Sequence, residues 1–160
     1  AAQRAASRLI TIRLVSDRLS ALLSRFELHA RVFHSGALCG TAHFDGADGV
    51  GHLHLLRHGR LCLTDGDGIR HLLAEPTLLF FPRPAAHRLD ADERDPAELV
   101  CASIDFGTGD ENPLLVGLPG MLVVPLDRMP GLDLTQGLLF SEAAAGRCGH
   151  DAVVNRLTET

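Results

Sequence analysis

The sequence predicts a mainly β domain, a barrel or sandwich with short helices at its two ends. Between Glu27 and Phe106 the apolar residues come in short or alternating runs. Gly, Asp and Pro separate those runs at turn-like spacing. On either side of this region the apolar spacing changes to that of amphipathic helices.

The elements follow in order. Ser16 or Asp17 supplies an N-cap for a helix whose Leu19, Leu22, Leu23 and Phe26 fall at i, i+3, i+4 and i+7. Strands are expected over Ala30 to Phe33, Ala37 to Phe44, His52 to Leu56, Arg60 to Leu63, Ile69 to Leu73, Leu78 to Phe81, His87 to Leu89 and Leu99 to Phe106. Asp65 to Gly68 places residues that tolerate positive φ between two of these runs and reads as a hairpin turn. Beyond Gly107 the chain is broken by Asn112-Pro113, Leu118-Pro119-Gly120 and Met129-Pro130-Gly131 around one more strand, Met121 to Val124. Two helices are expected to close the chain. The first carries Leu134, Leu138, Leu139 and Glu142, and the second carries Val153, Val154 and Leu157 and stops at Thr160 without a cap, as in a piece of a longer protein. The organisation read from this is an N-terminal extension over 1–15, a barrel with its leading helix over 16–125, and a helical segment over 126–160.

At 160 residues and 46% hydrophobic content, the chain can bury a core as one domain. Its formal charge of −5, with Arg as the only strongly basic residue type, gives no electrostatic footprint for nucleic acid. The apolar runs are far shorter than the roughly 20 residues that span a bilayer, so no membrane segment is expected. The four cysteines are irregularly spaced and Ala1 to Ser7 has no apolar signal core, which points to a reducing cytoplasm.

The chemistry-bearing residues are histidines, nine in all. Residues two apart on a strand share a face, so His52 and His54 point together, as do Cys39, Thr41 and His43. His87 follows the rigid Pro82-Arg83-Pro84 turn, which delivers it to the start of a strand. Cys39 and Cys101 lie in strand-like runs and read equally as buried thiols or as soft ligands. Up to four of Cys39, His52, His54, His87 and Cys101 would surround one ion, for which imidazole and thiolate together favour zinc over other divalent metals. The competing reading is a polar core of hydrogen-bonded histidines. His29, His34, His58, His71 and His150 read as solvent-facing, and Cys62 and Cys148 as structural or surface residues. No serine elbow or phosphate loop is present, and no enzyme is inferred.

Gly51 to Gly59, Glu75 to Leu89, Leu99 to Phe106 and Asn112 to Pro119 together resemble the N-terminal cupin domain of AraC-type transcription regulators, over about Ser16 to Thr160. The resemblance implies a double-stranded β-helix or jelly-roll barrel with short flanking helices. It also implies that the domain binds a small-molecule effector or metal and forms a homodimer through its helices. DNA would be read by a separate C-terminal helix-turn-helix part absent from this chain. Within the cupin motifs His52 takes the place of the glutamate and His87 that of the second-motif histidine, while the usual upstream histidine pair is missing. Cys39 would substitute for that pair, with Cys101 as a further candidate, and a fourth protein ligand would close the site to substrate. A stand-alone metal-dependent cupin enzyme, an oxygenase or isomerase, is the alternative.

Overall fold

The structure is a computed structural model that describes residues 28–107, 112–145 and 148–160. The helix expected from Ser16 to Phe26 lies outside these residues. Among the described residues, nine strands form two antiparallel sheets. The five-stranded sheet has the order β1 (His29–Leu38), β8 (Ala97–Asp105), β3 (Gly51–His58), β6 (Thr77–Phe81), β9 (Leu122–Pro125). The four-stranded sheet has the order β2 (Gly40–Phe44), β7 (His87–Ala91), β4 (Leu61–Thr64), β5 (Arg70–Leu73).

The sheets face each other across one apolar interior, as in a jelly-roll barrel. Leu61, Leu63, Leu73 and Leu89 come from the four-stranded sheet, and Leu56, Leu79, Phe81 and Leu99 from the other. The Asp65–Gly68 turn forms as expected. The Gly68 N–H donates to the Asp65 carbonyl and the Asp65 N–H to that of Ile69, both at 3.0 Å, with Gly68 at φ +80°.

The single strand expected over Ala37 to Phe44 is two strands. β1 ends at Leu38 on the five-stranded sheet, and β2 begins at Gly40 on the four-stranded one. Gly40 sits at φ +84°, which turns the chain from one sheet to the other at Cys39.

The outer face of the five-stranded sheet is also covered. Helix α1 (Pro113–Val116) lies between β8 and β9, and α2 (Leu132–Ala145) and α3 (His150–Glu159) follow β9. Leu139, Phe140 and Val154 of α2 and α3 pack with Leu55 and Val100 of the sheet. Side chains of α3 also finish the edge of the sheet. The N–H of Ala30 donates to Glu159 Oε1 at 3.0 Å and that of Val32 to Asn155 Oδ1 at 2.9 Å, so two edge donors of β1 are satisfied by a helix. Of the apolar residues of α3, Val154 is buried and Leu157 is packed against the same cluster. Val153 of α3 is exposed, as are Leu134 and Leu138 of α2.

Candidate functional site

β3 is in register with two neighbours, His52 opposite Ser103 and Phe81, and His54 opposite Cys101 and Leu79. Opposite residues in antiparallel strands share a face, so this row lies inside the barrel with Leu56 and Leu99. Gly51 makes that approach possible, because a Cβ there would stand 2.5 Å from the Phe81 carbonyl oxygen. Across the interior, His87 opens β7 opposite Phe44 of β2. His52, His54 and His87 are thus brought together, each at most 4% exposed, with ring centroids 5.0 to 6.0 Å apart.

The hydrogen bonds fix how the rings share their protons. His87 Nδ1 lies 2.8 Å from the Ala85 carbonyl oxygen, which can only accept, so Nδ1 carries hydrogen. Burial draws the His87 pKa down to about 4, against the opposing pull of that hydrogen bond. The ring is therefore neutral near pH 7 and its Nε2 bears a lone pair. His54 Nε2, 2.9 Å away, donates to it. His54 is held well below the usual histidine range, first by burial and then by His87, His52 and His34. Its Nδ1 is left a bare, buried acceptor with no hydrogen-bond partner among the described residues. His52 Nε2 stands 2.8 Å from Asp48 Oδ2, and its Nδ1 is likewise buried without a partner among them.

Aromatic rings frame this group. Phe81 stacks on His87 at 4.0 Å and Phe44 at 4.5 Å, each within about 12° of parallel. Two parallel rings at these distances cannot share one face, so His87 lies between them.

Two thiols behave differently from the histidines. Cys39 is exposed at the bend between β1 and β2, and Thr41 and His43 of the same alternation are exposed as well. Their face is the outside of the barrel, so Cys39 does not join the cluster; the inward face of β2 carries Ala42 and Phe44. Cys101 is inside, beside His54 in the register, and burial pushes its thiol up to about 12.

His34, expected at the surface, is opposite Cys101 on the other side, with Nε2 buried and unpartnered among the described residues. A bulge between Val32 and His34 shifts the alternation of β1 by one residue and turns this ring inward. Asp48 was also missed. Its signal is the i to i+4 spacing to His52 across the Gly-rich turn after Phe44.

As placed, no three His, Cys, Asp or Glu side chains among the described residues are arranged to hold a metal ion. The donor chemistry nevertheless fits one: buried, unpartnered imidazole nitrogens suit a borderline divalent cation. His87 already donates its second nitrogen to a backbone carbonyl, as metal-bound histidines usually do.

A family model described as cupin matches residues 17–160. The chain belongs to the cupin family. Two solved structures resemble this cupin, both of ToxT from Vibrio cholerae strain SCE256. The apo form of a lysine-to-alanine variant has a TM-score of 0.43 and 10% identity, covering 84% of this chain and 53% of that one. The unsaturated fatty acid bound wild-type form has a TM-score of 0.41 and 8% identity, covering 84% and 50%. The chain therefore spans about half the length of those two. No curated protein matches the sequence. No helix among the described residues of this cupin is long and apolar enough to cross a membrane.

Proposed function

We propose that this chain is the effector-binding and dimerisation domain of an AraC-type, cytoplasmic DNA-binding regulator, with a divalent cation, zinc for preference, held by His52, His54 and His87. The observation that carries the reading is the buried imidazole cluster, in which His52 Nδ1 and His54 Nδ1 have no partner among the described residues. Such groups cost stability unless something engages them. A bound cation would supply positive charge to these lone pairs, and a bond to His87 Nε2 in place of the His54 proton would tie β3 to β7, coupling occupancy to stability.

Enclosure supports sensing over turnover, because Phe44 and Phe81 cover both faces of His87. Self-association is assigned to the helices, where Leu134 and Leu138 stand one turn apart and exposed beside the edge of the core. DNA contact is assigned to a separate segment of the regulator, in keeping with a net charge of −5 here.

Titration of the chain with zinc chloride is expected to raise its Tm. His87→Ala should abolish that rise and weaken zinc binding at least about tenfold, whereas His150→Ala should leave both unchanged. Zinc that fails to shift the Tm, or that shifts parent and His87→Ala alike, overturns the metal assignment. A monomer at every concentration in light scattering overturns the dimer, and site-specific duplex binding by this chain alone overturns the division of labour.

A further inference from the structure

A bulge decides which way His34 faces. Val32 stands opposite Ala102 and His34 opposite Cys101, so one residue, Phe33, is extra between them. Without it, residues two apart would share a side, and His34 would follow Val32 toward the packed outer layer. With it, His34 turns to the interior, where Cys101 separates it from His54 in one row across β1, β8 and β3. Phe33 is carried round as well and stands edge-on to His52 at 6.1 Å. Such bulges re-aim side chains and occur often beside functional sites. Four buried side-chain nitrogen or oxygen atoms of the described residues have no hydrogen-bond partner, and three are ring nitrogens of this group: His34 Nε2, His52 Nδ1 and His54 Nδ1. Buried polar atoms are nearly always paired, so three orphans on one inner face call for a common partner. His34 is close enough to His54 that a proton on it would oppose one on His54. Strands two apart in a sheet lie about 10 Å from each other, a span that two imidazoles reaching toward one ion can close.

We propose that His34, through Nε2, is a fourth protein ligand of the divalent cation assigned above to His52, His54 and His87. This rests on that assignment and brings in a strand, β1, that the assignment does not use. The donor groups are not gathered round one point as placed, and His34 is the ring best able to move. His52 is held by Asp48, and His54 and His87 by each other, so those rings are already oriented. The Nε2 of His34 has no bond among the described residues to give up when its ring turns. Cys101 lies between His34 and His54 in the register. A thiol, however, must lose its proton to ligate, whereas an imidazole only has to carry its hydrogen on the other nitrogen. Four nitrogen ligands would complete a tetrahedral zinc site without sulfur and leave no open position for a substrate.

The test uses the 160-residue chain with zinc chloride and cobalt chloride. His34→Leu should weaken zinc binding at least about tenfold and cut the zinc-induced rise in Tm. Without metal it should melt no lower than the parent, because the substitution deletes a buried nitrogen that has no partner among the described residues. A histidine kept for packing alone would show the reverse, a lower Tm without metal and unchanged zinc affinity, and that pattern overturns the inference. Cobalt should give the visible bands of a four-coordinate nitrogen site. A thiolate charge-transfer band in the near ultraviolet would put Cys101 where His34 is assigned, which also overturns it. If His34→Leu does not fold, imidazole nitrogen spectra of the isotope-labelled parent decide. Zinc should move the His34 Nε2 resonance and fix the ring hydrogen on Nδ1, and a His34 signal unmoved at saturating zinc overturns the inference. The two readings fail separately. Zinc that binds parent and His87→Ala alike, or neither, removes the site and His34 with it; zinc weakened by His87→Ala yet bound in full by His34→Leu removes only His34.

Discussion

The two sheets solve opposite packing problems. In the four-stranded sheet the alternation is clean: Leu61, Leu63 and Leu89 are buried, while Cys62, Thr64 and Arg88 between and beside them are partly open to water. In the five-stranded sheet β8 is buried over Leu99 to Ala102 without a break, because its inner residues meet the barrel and its outer ones meet the helices. The first sheet can take charge on its outer face at little cost; the second has no such face. The histidines sit where the sheets meet, on the one surface that belongs to both.

The largest effect that would test this contrast is a charge on each outer face. Val100→Asp places a carboxylate in the sealed layer under the helices, where Val100 is fully buried. It is expected to cost about 4 kcal/mol or more, or to prevent folding. Leu72→Asp, on β5 at 71% exposure, should change stability by no more than about 0.5 kcal/mol. Urea unfolding of both variants measures the difference, and similar losses would break the comparison.

A second effect separates the inner face from the outer. His87 has its pKa at about 4 in the fold, against about 6.5 in the unfolded chain, and His54 is shifted in the same direction. Between these values the unfolded chain takes up protons that the native fold refuses. Stability should therefore be full above about pH 6.5 and fall as pH drops toward 4. His87→Phe removes one of the two refused protons and should make the profile shallower. Unfolding midpoints collected across this range provide the check, and a flat parent profile would sink the argument.

The smallest effect concerns the edge of the covered sheet. Asn155→Ala removes the acceptor for the Val32 N–H and should cost about 1 to 2 kcal/mol. Amide exchange at Val32 should quicken well before exchange in the centre of β8. Unchanged protection at Val32 would mean that α3 does not guard this edge.

Much of this architecture was legible in the chain. Turn chemistry at Asp65 to Gly68 marked the hairpin, and the spacing of His52 and His54 put both on one inward face. The Pro82 to Pro84 turn delivered His87. What escaped was parity. The bulge at Phe33 turns His34 inward, and the bend at Cys39 moves the chain to the other sheet with Phe44, not His43, facing in. A one-residue slip inverts every side chain on a strand, and neither irregularity leaves a mark in a run of alternating residues. The helix faces were read poorly for a related reason. Apolar residues occur on both sides of α2, Leu139 and Phe140 buried and Leu134 and Leu138 exposed, so periodicity alone does not say which side meets the sheet.

The clamping of His87 between Phe44 and Phe81 has a thermodynamic consequence. A surface histidine that engages a partner must give up its rotamers at that moment, at a cost of about 0.5 to 1.5 kcal/mol. Here the stacked rings and the Ala85 carbonyl have already removed that freedom during folding. Nε2 is held in one direction before anything arrives, and a species that displaces the His54 proton from it meets a ring with little left to lose in entropy. Loosening the clamp, as in Phe44→Ala, should therefore weaken such binding chiefly through its entropy, even with all the imidazoles in place.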